Sequence, residues 1–161
     1  MLKISTSLVL LGITVSGFAN DLCSRLANDN KVQSWAYEAI LATNNYNFVH
    51  SSKEKEAANY FTKSAWASYK KEFNVNNQVK KVQKEKMVVS VGLQNSPLIL
   101  EKNKNHWKIQ LPLILNYQNE TTKQTELAGL EVTVVKDKQK EDCLVISSVK
   151  KIPLANDSSS S

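Results

Sequence analysis

The sequence predicts an α+β domain: three helices first, then a meander of antiparallel strands, with the N-terminal helices packed on the concave side of a curved antiparallel sheet. Three observations carry that expectation. Between residues 30 and 43 apolar side chains recur at the helical period, and after Asn77 β-branched runs bounded by turn residues replace that period. The chain has 161 residues, 42% of them hydrophobic, which is enough to bury one core and excludes global disorder.

Residues 1–19 stand outside the predicted fold. They carry Lys3, an apolar stretch from Leu8 to Val15 broken by Gly12 and Thr14, and then Ser16-Gly17-Phe18-Ala19. A basic start, a short apolar run and small residues before a cut after Ala19 mark a secretory signal peptide. The alternative is an uncleaved anchor, but a spanning helix needs about 20 apolar residues. This run is shorter and includes Ser5, Thr6, Ser7, Thr14 and Ser16. Lipid attachment at Cys23 would require a small residue directly before the cysteine, where Leu22 stands. Cleavage would leave a single domain over residues 20–154 and a polar, disordered tail over residues 155–161.

Export also bears on the cysteines, because disulfides persist in an oxidising compartment. Cys23, close behind the cut, and Cys143, opening the last apolar run, are the two cysteines of the chain. A Cys23–Cys143 staple is the one intramolecular pairing open to them. Two free buried thiols or an intermolecular bridge are the alternatives.

Within the domain, Val32, Trp35, Ala36, Ala39 and Ile40 fall at i, i+3, i+4, i+7 and i+8, opposite Lys31, Gln33, Ser34 and Glu38. Asn44-Asn45-Tyr46-Asn47 ends that helix. Ser51 and Glu54 form a capping box for a short helix over residues 52–60. Thr62 caps the next, in which Trp66, Tyr69 and Phe73 recur at i, i+3 and i+7 as core anchors. Strands are expected at residues 87–93, 98–102, 106–118, 126–136 and 144–151. In the third, Trp107, Ile109, Leu111, Leu113 and Leu115 make one apolar face, which the helices must cover. Pro112 lacks a ladder donor, so a bulge or an edge is expected there. Asn103-Lys104-Asn105 and residues 119–123 read as hairpin turns.

Composition removes several function classes. Gly12, Gly17, Gly92 and Gly129 are scattered, so no phosphate-cradling loop or dinucleotide fingerprint can be built. Cys23, Cys143, His50 and His106 have no zinc spacing, and no cofactor is implied. The net charge of +6 comes from 20 lysines and one arginine, Arg25, interleaved with glutamates as in Lys53-Glu54-Lys55-Glu56. That is a solvated surface rather than a nucleic-acid reader, which favours the bidentate guanidinium. Among candidates for acid–base work, Glu54, Glu56, Glu72 and Glu85 sit in lysine-rich polar segments, and Glu131 lies on the polar side of its strand. His50 and His106 lie in loops or at strand starts; Asn47 and Asn116 can orient a ligand but move no proton. No nucleophile–base set is suggested, and no catalysis is expected.

Several strings taken together resemble one family, the DotI/IcmL proteins of type IVB secretion systems, related to the TraM conjugation protein. They are Val32-Gln33-Ser34-Trp35-Ala36, Tyr46-Asn47-Phe48, Tyr60-Phe61-Thr62 with Trp66 four residues on, Lys86-Met87-Val88-Val89-Ser90, and Trp107-Lys108-Ile109-Gln110-Leu111-Pro112. The resemblance covers residues 31–149, and the chain departs from the family strings at Asn47, where aspartate is usual, and at Ala65, where glycine is usual. It implies a periplasmic domain of nuclear-transport-factor-2-like cone fold, with Trp35, Phe48, Tyr60, Phe61, Trp66, Trp107 and Pro112 as motif residues of the core. Secretion-core members carry a transmembrane helix ahead of this domain. A cleavable signal in its place makes the chain similar to a soluble periplasmic paralogue.

Three functions follow as expectations. The first is a non-catalytic protein that binds secretion-system or other cell-envelope proteins, a membrane-anchored family member among them, through sheet edges or helix faces. The second is a small-ligand-binding or enzymatic cone-fold protein. The third is a periplasmic protein outside secretion that keeps the fold. A pocket with convergent polar groups would favour the second.

Overall fold

The computed structural model describes residues 28–44, 46–47 and 54–154. The expected signal peptide, Cys23, Phe48, His50, the Ser51 cap and the tail lie outside the described residues. Helix α1 (Asp29–Asn44) buries Val32, Ala36, Ala39 and Ile40, the face its sequence period predicts. A two-residue strand, β1 (Tyr46–Asn47), follows, and then the short α2 (Glu54–Ala58). Thr62, in extended conformation, caps α3 (Lys63–Glu72): its Oγ1 accepts the Ala65 N–H at 3.2 Å. This satisfies one of the unpaired donors of the first turn.

A fourth helix, α4 (Val75–Lys84), occupies part of the stretch where the strand texture was expected to begin. The sequence hides it because valine and asparagine are weak helix formers. Burial of Val82 against Met87 and Val89 overrides that weakness. Asn74, left-handed at φ 49°, makes the turn into α4, and Lys86 at φ 50° makes the turn out of it.

The sheet holds β2 (Val88–Leu93), β3 (Leu98–Lys102), β4 (His106–Gln118), β5 (Lys123–Lys136) and β6 (Leu144–Ile152), all antiparallel to their strand neighbours. It is not a simple meander. Its order is β1-β2-β4-β5-β6, and β3 shares with β2 the same side of β4: β2 lies opposite Leu113–Gln118 and β3 opposite Trp107–Gln110. Pro112 sits where one neighbour hands over to the other. Its carbonyl accepts the Gln94 N–H at 2.8 Å just past the end of β2. Amide and carbonyl of one antiparallel residue point to the same side, so the missing proline donor also faces this junction. The ladder to β5 runs past Pro112↔Gly129 without a shift. Of the bulge or edge expected at Pro112, no bulge forms there; the register shifts stand at Ile99/Glu101 and Thr133/Val134.

The core lies between the helices and one face of the sheet. Trp107, Ile109, Leu111, Leu113 and Leu115 of β4 join Leu130, Val132 and Val134 of β5 and Ile146 of β6. Over them pack the buried side of α1 and Phe61, Ala65 and Tyr69. Residues 60–62 cover the first half of the β6 edge, with Ile146 N–H donating to Tyr60 and Thr62 N–H to Ile146. The side-chain oxygens of Asn103 and Asn119 close the two hairpins by accepting backbone N–H groups across the turns. Gly129 is required where the chain returns: a Cβ there would meet the Ile152 carbonyl oxygen at 2.7 Å. Among the described residues no helix is long and apolar enough to cross a membrane.

Candidate functional site

The motif residues fall into two groups. Phe61 and Trp107 are buried, and Pro112 is buried on the opposite face of its strand. Trp35, Tyr60 and Trp66, expected in the core, are only partly buried and pack against it. Their amphipathic rings reach the surface, and two indoles of the motif, partly buried Trp35 and buried Trp107, find acidic partners. Trp107 Nε1 donates to Asp29 Oδ1 at 3.0 Å and Trp35 Nε1 donates to Asp142 Oδ2 at 3.1 Å, which ties α1 to the sheet twice. Sequence reasoning missed both carboxylates; the position of Asp29 in the first turn of α1 was the available signal. Cys143 is buried, opens the approach to β6 at φ 58° and is not a free thiol.

A small cleft lies beyond the last turn of α1, between α3, α4 and the sheet. Its volume is about 50 Å³, and Leu113, Leu115, Ala128, Leu130, Phe73 and Val75 supply its apolar walls. Thr43, Asn44 and Tyr69 form its polar side: Tyr69 O–H donates to Thr43 Oγ1 at 3.0 Å and accepts from Asn44 Nδ2 at 3.1 Å. Burial pushes the Tyr69 hydroxyl upward, against the opposing effect of those two bonds. Tyr117 is pushed up to about 12, first by burial and then by the charge of Glu126. Both phenols therefore stay protonated at neutral pH and act as hydrogen-bonding groups rather than bases. Glu126 and Lys151, about half exposed, stand 3.8 Å apart.

The other candidates are dispersed. His106 Nε2 lies 3.3 Å from Glu101, which also accepts Lys108 at 3.1 Å, on the exposed β3–β4 hairpin. Glu131 is half-buried between Gln110 and Lys150 on neighbouring strands. Asn116 accepts the Thr125 hydroxyl, and Asn47 lies in β1 opposite Val88. Among the described residues no three His, Cys, Asp or Glu side chains are grouped to hold a metal.

Among the described residues four large apolar side chains stand exposed on an otherwise polar surface. Leu98 and Leu100 of β3 are 57% and 45% exposed, on a strand that among the described residues pairs with β4 alone. On the sheet face away from the helices, Val88 is 47% and Leu127 54% exposed. Next to Val88 an open groove of about 690 Å³ runs between the α4–β2 and β4–β5 turns, floored by Ser90, Asn116 and Gln118.

The family model described as type-IV b secretion system, inner-membrane complex component (DotI/IcmL) matches residues 22–150. The fold is similar to the periplasmic domain of DotI, with a TM-score of 0.71 at 23% identity over 80% of this chain and 97% of that one. An IcmL-like type IV secretion system protein from Legionella pneumophila subsp. pneumophila str. Philadelphia 1 gives 0.71 at 22% identity, over 80% of this chain and 95% of that one. A periplasmic fragment of TraM gives 0.69 at 17% identity, over 77% and 96%. No curated protein sequence matches the chain.

Proposed function

The chain belongs to the DotI/IcmL family of type-IV b secretion system inner-membrane complex components, and from that premise we propose that it is a non-catalytic periplasmic domain that docks onto other cell-envelope proteins, a membrane-anchored member of its own family first among them. The observation that carries the reading is the β3 edge. Leu98 and Leu100 stand exposed on a strand with one strand neighbour among the described residues, whereas the opposite edge of the sheet is covered at Tyr60–Thr62. An apolar, half-paired edge is a liability in a monomer and a template for strand addition by a partner.

Absence of catalysis is part of the proposal. It is supported by a cleft whose two tyrosines hold their protons and by histidine and acidic side chains spread over exposed hairpins. Export by cleavage after Ala19 belongs to the same reading, as does a cone-shaped fold of the nuclear-transport-factor-2 type, which helices over one face of the sheet support.

So does the Cys23–Cys143 staple. Trp35 bonds to Asp142, next to Cys143, and lies six residues into α1, about 9 Å along its axis. The start of α1 is therefore one side-chain bond and about 9 Å of helix away from the turn that holds Cys143, and the five residues between Cys23 and Asp29 are enough chain to reach about 20 Å.

Affinity recovery of tagged protein from the cell envelope, with and without cross-linking, tests the function. A membrane-anchored family member or another secretion component should be enriched over an unrelated periplasmic control, and Leu100→Lys should reduce that enrichment. Recovery no higher than the control's would reject the docking role.

A further inference from the structure

We propose that the cleft beyond α1 is a socket for one aliphatic side chain of the docking protein, an inference that rests on the docking reading above and specifies its anchor. The cleft exists because of one residue. On the face of β4 and β5 that meets the helices, every buried position carries a large side chain except Ala128, which stands opposite Leu113. Close-packed cores leave few voids larger than a water molecule. Here about 50 Å³ is left between apolar walls, open to the surface past Gln78, Tyr117 and Glu126.

Size decides the kind of occupant. About 50 Å³ admits roughly two or three methyl-sized groups. A free molecule that small is held no tighter than about millimolar even at the best efficiency per atom. A side chain delivered by a larger interface escapes that limit, because its neighbours supply the remaining affinity while it fills a desolvated pocket. The rim chemistry matches a polypeptide. The Tyr117 hydroxyl and the Gln78 side-chain amide form no hydrogen bond with other described residues. Together they offer donors and an acceptor to the carbonyl and N–H flanking an inserted residue. The methyl-bearing end of a valine, leucine or isoleucine fits the walls; a charged side chain would be desolvated against Leu115 and Leu130 without a buried partner.

Ala128→Val adds two methyl groups where the space is, so it should fill the socket and leave thermal stability equal or higher. Xenon, a probe of the same size, should shift the methyl resonances of Leu113, Leu115 and Leu130 in the full mature chain, and Ala128→Val should abolish those shifts. A random heptapeptide display library panned on the same protein should enrich peptides with an aliphatic residue at one fixed position. Those peptides should bind Ala128→Val at least tenfold more weakly, and Tyr117→Phe several-fold more weakly. Silent methyl resonances under xenon would mean a closed or water-filled space and overturn the socket. Xenon entry with no aliphatic enrichment would overturn the assigned occupant. Enrichment, or envelope-protein recovery, unchanged by Ala128→Val would place docking elsewhere and reject the socket while leaving the docking function intact.

Discussion

Two tryptophan–aspartate pairs show how single residues fix the helix layer. The carboxylate of Asp29 receives Trp107 Nε1 at 3.0 Å and Lys102 Nζ at 2.6 Å. The Lys102 bond first, and the Trp107 bond second, hold this carboxyl below its ordinary 3.8. On the adjoining hairpin Lys108 holds Glu101 below 4.5. A carboxylate depressed in the folded state contributes stability that is complete above its unfolded pKa and is lost as pH falls through the folded value. Both groups are exposed, so the contribution is modest and screened by salt. The urea midpoint at low ionic strength should therefore decline between about pH 5 and pH 3. Asp29→Asn should lower the neutral-pH midpoint and flatten the decline. An acid profile identical to that of the parent chain would show that Asp29 acts only through geometry.

At the scale of elements, the clearest sequence pattern gave the most faithful reading. The alternation through β4 places its bounds and its buried face correctly, because a period of two leaves one register compatible with burial. Thr62 was likewise legible as a cap, since its position before Trp66 and Tyr69 is a local property. Helix α4 was not legible: its three valines pass for a strand until Val82 is seen to pack on Met87 and Val89. The shared side of β4 is also a long-range fact, carried by Gln94 reaching the carbonyl of Pro112. Trp66 illustrates the same limit. Its spacing marks a core anchor, yet it is partly buried, stacking on Tyr69 at 5.6 Å and lying 5.1 Å from Phe61, with Lys70 over its ring. Trp66→Ala should therefore cost about 2 kcal/mol, short of the 3–5 expected of a fully buried aromatic. Urea unfolding with an unchanged m-value checks it. A loss above about 4 kcal/mol would mean that the ring carries more of the core than its exposure suggests.

For the molecule as a whole, a Cys23–Cys143 tie would govern how the layers separate. The helix layer meets the sheet through α1 and α3, and the surface anchors of α1 are the Asp29–Trp107 and Trp35–Asp142 bonds. With their carboxylates at the surface, such bonds contribute modestly, so they guide α1 more than they hold it. A Cys23–Cys143 bridge would act on the unfolded chain instead, closing a loop of about 120 residues for which chain entropy gives at most about 4 to 5 kcal/mol. Its effect should appear as a lower thermal midpoint for the reduced protein and for Cys143→Ser, with the folded spectrum retained below the transition. Because the bridge constrains the same loop in both comparisons, Cys23→Ser, Cys143→Ser and the double variant should lose similar amounts rather than additive ones. Additive losses, or two alkylatable thiols in protein taken from the periplasm, would show that the cysteines act separately. The Trp35–Asp142 bond would then be left as the main link between the start of α1 and the turn before β6.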